Sequence, residues 1–235
     1  YLGWGSMIAV SSEHMASLAV GALMQANLRG VVLGGYAGLE ASLLQGQADG
    51  EALMAYAQKS VLFVRSAAHE WLFPQCSALV HHGGAGTSAA AVRSGVPSVV
   101  TPCAFDQFDN ARLLEVKGAG VALKQFSKVT AADLAAALQR CTTDQKLIAS
   151  ARKMGERLCS EDGVDVAVRA LDDFIAEELD TGRWKANRQD RLEELREMRA
   201  HPRRCCTTGR WLGQMCCSSR PNEYSVAAPK GKLLS

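Results

Sequence analysis

The sequence predicts an α/β fold: a doubly wound parallel sheet followed by a helical C-terminal extension. Three observations point to it. Short, continuously apolar runs alternate with helical stretches up to about residue 125, polar and glycine-rich corners fall at the ends of those runs, and from about residue 130 the pattern turns helical. Strands covered on both faces read as unbroken apolar runs, and strand–helix alternation builds βαβ units around a parallel sheet.

The candidate strands are YLGWGSM (1–7), GVVLGG (30–35), SVLFVR (60–65), SALVHH (77–82), PSVVTP (97–102) and AGVALK (119–124). Between them lie the helical stretches 11–28, 87–95 and 109–118. The first has Ser11 and Ser12 as N-cap candidates, and the last ends in Gly118 at a C-cap position. Beyond residue 129, VTAADLAAALQRC opens with Thr130 and Asp133 in capping-box spacing, with Asp in place of the usual Glu. Residues 145–159 and 164–179 follow as amphipathic helices, and 189–200 as a short charged one. The boundary is set at residue 180: a Rossmann-like domain over 1–180, then a basic, cysteine-containing tail over 181–235, partly helical and otherwise disordered.

Composition sets the class. The chain has 235 residues, 48% hydrophobic and 21% charged, with a formal net charge of +2, ordinary values for a soluble globular protein. No nucleic-acid partner is expected. No apolar run approaches the ~20 residues that cross a bilayer. Tyr1 is not a methionine and already reads as core strand, so the chain is expected to begin inside a longer protein, with any targeting signal upstream. Cys76, Cys103, Cys141 and Cys159 are scattered singly through apolar or helical contexts, as buried reduced thiols of a cytoplasmic domain would be. The pairs Cys205–Cys206 and Cys216–Cys217 lie among arginines. They read as incidental tail residues, with acylation and peripheral membrane association as the alternative. Adjacent pairs do not match zinc spacing.

Each motif with chemical content closes a strand: GWGSM (3–7), GGY (34–36), HHGGAGT (81–87) and PCAFDQF (102–108). In an open parallel sheet ligands bind outside the carboxyl ends of the strands, so four such corners imply one shared site. In HHGGAGT, Gly83, Gly84 and Gly86 permit close approach to the backbone. The helix that follows offers unpaired N–H groups and a positive dipole end, and Thr87 and Ser88 add hydroxyls. The turn is neither GxxxxGK[ST] nor a clean GxGxxG, so an ordinary ATP loop or dinucleotide fingerprint is not supported. An isolated GGxG would read as a packing turn. The adjoining histidines and three further polar corners favour phosphate.

HEWLFPQCSALVHHGGAGTSAAAVRSGVPSVVTPCAFDQFDNA (69–111) resembles the donor-binding domain of UDP-dependent glycosyltransferases with the GT-B fold, in particular the sterol 3-beta-glucosyltransferases and bacterial macrolide and glycopeptide glycosyltransferases. YLGWGSM resembles the strand and loop that open the same domain. The resemblance has specific motifs over residues 1–125 and continues by pattern to about 178. It implies inverting hexosyl transfer from a UDP-sugar, glucose first, to a sterol or other lipid hydroxyl, with this chain as the donor-binding half. Ser6, His82, Gly84, Gly86 and Thr87 would contact the donor phosphates, and Asp106 and Gln107 would read hydroxyls of the transferred sugar. The backbone around Val64–Ala67 would face the uracil, and His81 would be packing. Trp4 and Trp71 are taken as core anchors.

The nucleotide sugar is a substrate, and no cofactor or metal is expected, since no DxD-type carboxylate cluster accompanies the motifs. No catalytic residue is assigned within this chain. The base that deprotonates the acceptor belongs, by the resemblance, to an N-terminal acceptor domain present in cis or supplied in trans. A separately encoded donor half and a non-catalytic nucleotide-sugar binding module are the alternatives. Two departures stand out: Ala90 where plant relatives carry a ribose-reading glutamate, and Cys103 and Ala104 where relatives often have bulkier aromatic residues.

Overall fold

The structure, a computed structural model, describes residues 1–200. The chain divides into two compact units, Tyr1–Gly163 and Val164–Ser235.

The first unit is built on short parallel strands: β1 (Gly30–Leu33), β2 (Val61–Val64), β3 (Leu79–His81), β4 (Ser98–Val100) and β5 (Gly120–Ala122). β1 pairs with β2, and β3, β4 and β5 pair in sequence order. Leu2 joins the two ladders through parallel bridges to Val32 and Val80. Leu2 N donates to Val31 O at 2.9 Å and Gly3 N donates to Val80 O at 3.0 Å. Counting the Leu2 segment first, the spatial order is 3-2-1-4-5-6, the doubly wound order with its reversal point between the Leu2 segment and β3. Five of the six predicted strands are therefore present, and the first run contributes only the Leu2 bridges. Each of the five is shorter than its apolar run.

Period-two alternation divides the core. Val32, Val80, Val99 and Val121 share one cluster with Met15, Leu18 and Leu23 of α1 (Ser12–Ala26), Leu53 of α2 (Gly50–Ser60) and Leu134 and Leu138 of α6 (Ala131–Thr143). Leu33 and Leu79 lie in a second cluster with Leu72 of α3 (His69–Leu72) and Ala91 of α4 (Ala85–Ser94). Val100 meets Ala111 and Leu114 of α5 (Gln107–Val116) and Ala151 of α7 (Gln145–Cys159). The sheet is thus covered on both faces.

The helix ends follow their side chains. Ser11 Oγ accepts from His14 N at 3.2 Å and caps α1. Thr130 and Asp133 form the reciprocal capping box of α6, with Thr130 N donating to Asp133 Oδ2 at 2.9 Å and Asp133 N to Thr130 Oγ1 at 3.1 Å. Helix α2 was not anticipated: Leu53 and Ala57 give it only a narrow buried face besides Gly50. The cysteine expectation holds for Cys141, whose thiol burial pushes up to about 12. It fails for Cys159, which is exposed at the end of α7.

The described part of the second unit holds α8 (Gly163–Phe174), a π-helical stretch over Ile175–Leu179 and α9 (Arg183–Ala200). Helix α9 starts six residues before the charged segment expected at 189, and Arg188 stacks over Trp184 at 5.4 Å. Among the described residues no helix is long and apolar enough to cross a membrane. Cys205–Cys206, Cys216–Cys217 and the rest of the tail from residue 201 lie outside the described residues.

Candidate functional site

At the reversal point the loops leaving the Leu2 segment, β1, β3 and β4 come together and are tied to one another. Tyr36 N donates to Gly5 O at 2.9 Å, joining the first two corners. A Cβ on Gly5 would lie 3.3 Å from His82 Cε1, so the first corner rests against the His82 ring. Asn110 Nδ2, on α5, donates to Gly83 O at 2.8 Å and to Asp106 Oδ2 at 3.2 Å, joining the third corner to the fourth.

The turn between β3 and α4 is shaped by what its glycines lack. Gly83 has φ +92°, and a Cβ there would lie 2.9 Å from Gln107 O and 2.8 Å from Val100 Cγ1. No other residue fits that position without moving the backbone of the neighbouring loop. Gly86 differs: a Cβ there would meet nothing within 4 Å. Its open flank lies on the first turn of α4, an end with Gly84 as N-cap, no side-chain cap and no acidic residue. The first N–H groups of a helix have no intrahelical partner and carry its positive dipole end.

His81 is fully buried, and its Nδ1 accepts from Gly83 N at 3.1 Å. An accepting Nδ1 in a neutral ring places the proton on Nε2, a tautomer assigned from the bond. Burial first, then the neighbouring His82 and His69, pushes the His81 pKa down to about 3. His82 is half-buried; burial lowers its pKa as well, with Asp106 pulling the other way. His81 Nε2, His82 Nδ1 and Ser88 Oγ are buried without a hydrogen-bond partner. A buried polar group left unpaired costs about 1–3 kcal/mol, so each of these atoms favours a partner of opposite polarity.

The predicted site residues gather at this edge in different ways. Ser6 is exposed in the first corner, and Thr87 is half-buried in the first turn of α4. Asp106 is exposed at the N-cap position of α5 without capping it. Gln107 is only 4% exposed, and its Oε1 accepts from Cys103 N at 2.8 Å and Ala104 N at 3.1 Å. Through that oxygen it braces its own loop. Val64 and Ala67, at the end of the edge strand β2, pack half-buried against the cluster of Tyr1, Leu33 and Phe73, and Val64 O accepts from Gly34 N at 2.8 Å.

Trp4 is a core anchor at 2% exposure, and its Nε1 donates to Thr101 Oγ1 at 2.8 Å. Trp71 is not: it is 67% exposed, because α3 is a single turn whose inward positions are taken by Leu72 and the following Phe73. Asn110 and Thr101 carry structural weight that the motifs did not announce. Asn110 was findable, since four residues after Asp106 on a helix it shares that residue's face. Among the described residues, no group of three His, Cys, Asp or Glu side chains comes together as a metal-ligand set.

Residues 50–171, more than half of the chain, match the family described as "Erythromycin biosynthesis protein CIII-like, C-terminal domain". The chain belongs to this CIII-like C-terminal domain family. The matched span takes in the β3–α4 turn and the β4–α5 loop. Its relatives include the sterol 3-beta-glucosyltransferase of Debaryomyces hansenii, 34% identical over 171 residues that make up 73% of this chain and 10% of the relative. That of Eremothecium gossypii is 34% identical over 199 residues, 84% of this chain and 15% of the relative. That of Kluyveromyces lactis is 36% identical over 171 residues, 73% of this chain and 14% of the relative. The CIII-like domain thus spans a small part of each. Among solved structures, the glycotransferase of kitacinnamycin shares the fold, with a TM-score of 0.57 at 22% identity over 73% of this chain and 42% of the other.

Proposed function

We propose that this CIII-like domain binds a nucleoside-diphosphate sugar, UDP-glucose first, and is the donor-binding part of an inverting enzyme that glycosylates a sterol or other lipid hydroxyl. The relatives named as sterol 3-beta-glucosyltransferases support the sugar and the acceptor class. One observation supports the diphosphate most strongly. His82, with a buried Nδ1 without a partner, leads into a glycine turn that opens into an uncapped helix end, all at the reversal point of the sheet.

The chemistry follows from the charge. As the acceptor oxygen bonds to C1 of the sugar with inversion, the C1–O bond to the β-phosphate breaks and its electron pair moves onto the phosphate. N–H groups at the start of α4, the Thr87 hydroxyl and the His82 imidazole are fixed donors for that charge, and fixed donors need no reorganisation as the charge develops. The reading calls on no metal. The acceptor proton goes to a base on an N-terminal acceptor domain, in cis or in trans, and this domain's share is to hold the leaving group.

Calorimetry on the chain with UDP and with UDP-glucose tests this. Both should bind, and His82→Ala should weaken both by roughly tenfold, or ~1.4 kcal/mol. A folded chain that binds neither, or binding indifferent to His82→Ala, refutes the reading.

A further inference from the structure

Phe105 has a backbone conformation that aromatic residues avoid, φ +57°, yet its side chain is 85% exposed. Strain of this kind persists only where the surroundings over-determine it, and such positions cluster at functional sites. Here the surroundings are explicit. Gln107 Oε1 holds the amides of Cys103 and Ala104 on one side, and Gln107 N donates to Ala104 O at 3.3 Å. On the other side Asp106 is fixed by Asn110, which also holds Gly83 of the β3–α4 turn. The loop is clamped at both ends, so Phe105 stands between them in the left-handed region. Packing does not explain the aromatic residue, because so little of it is covered.

We propose that Phe105 is a contact residue for the transferred sugar, an aromatic surface for the apolar C–H face of a pyranose whose hydroxyls meet Asp106. The inference rests on the donor-site reading above. A pyranose presents hydroxyls at its rim and C–H bonds on its faces, so an exposed carboxylate and an exposed aromatic ring on adjacent residues are chemically suited to it. Aromatic side chains offer a large, rigid, apolar contact at low conformational cost. The left-handed backbone then has a use: it displays a ring where a relaxed loop would favour glycine or asparagine.

The test compares Phe105→Gly, Phe105→Ala and Phe105→Tyr in the whole chain, measuring UDP and UDP-glucose by calorimetry and stability by thermal unfolding. UDP-glucose should weaken roughly three- to tenfold in the Gly and Ala variants and hold in the Tyr variant, while UDP is unchanged in all three. Phe105→Gly should also unfold at a higher temperature, because glycine releases the strain. Equal weakening of UDP and UDP-glucose overturns the sugar contact and makes Phe105 a shaper of the loop. Unchanged UDP-glucose affinity in the Gly and Ala variants overturns it with the donor-site reading left standing. Wild-type protein that binds neither ligand overturns both.

Discussion

Gly86→Ala separates the fold from the site, because the two pull in opposite directions. Gly86 is the second residue of α4 with nothing within 4 Å of a Cβ and no left-handed φ to lose. Alanine exceeds glycine by about 1 kcal/mol within a helix, and half of that, about 0.5 kcal/mol, is a fair figure for a first turn. The variant should therefore be more stable, with a Tm about 1–2 °C higher. The same methyl group would stand over the N–H groups that the diphosphate is proposed to approach. Loss of that contact should weaken UDP at least about tenfold, or ~1.4 kcal/mol. Differential scanning calorimetry and isothermal titration on the same preparation read both effects. Stability that rises while UDP affinity holds would refute the seat at the start of α4. A fall in stability would contradict the open space drawn around Gly86.

Two further outcomes follow from the residues around the turn. His81 has a folded pKa depressed to about 3 against an ordinary value of 6.5, so its contribution is complete above pH 6.5 and is lost as pH falls toward 3. Across that window the unfolded chain takes up a proton that the native chain refuses, a slope of up to about 1.4 kcal/mol per pH unit. His81→Gln should flatten the wild-type pH dependence of urea stability between pH 6 and pH 4, whereas parallel slopes would show that burial does not hold the ring neutral. Asn110→Ala removes the bonds to Gly83 O and Asp106 Oδ2 and should lower stability by about 1–2 kcal/mol in urea unfolding; a loss within experimental error would remove Asn110 as the brace between the corners.

The fold was legible because its signals are local. Unbroken apolar runs, Ser11 and Thr130 as caps and Gly118 just past the end of α5 each report on a few neighbouring residues. The strand order was not spelled out locally, because it rests on the two bridges of Leu2, and a single bridged residue has no pattern of its own. The motifs marked the site edge, and the resemblance gave the phosphates to His82 and packing to His81, but neither could fix the protonation of the His81 ring. That depended on the bond from Gly83 N, which fixes the His81 tautomer and leaves its Nε2 unpaired. Gln107 and Phe105 show the same limit. Whether a glutamine braces its own loop, and whether an aromatic residue is strained and exposed, is decided by long-range closure between β4, α5 and the β3–α4 turn. Trp71 went the other way, since WLF reads as core in sequence while a one-turn helix buries only part of it.

The proposed seat of the donor diphosphate is the β3–α4 turn. Amide chemical-shift mapping of the chain during a UDP titration tests it directly. The largest shifts should fall at Gly83–Thr87, with smaller ones at Ser6 and Asp106. Saturable shifts confined to other surfaces, with Gly83–Thr87 unmoved, would contradict it.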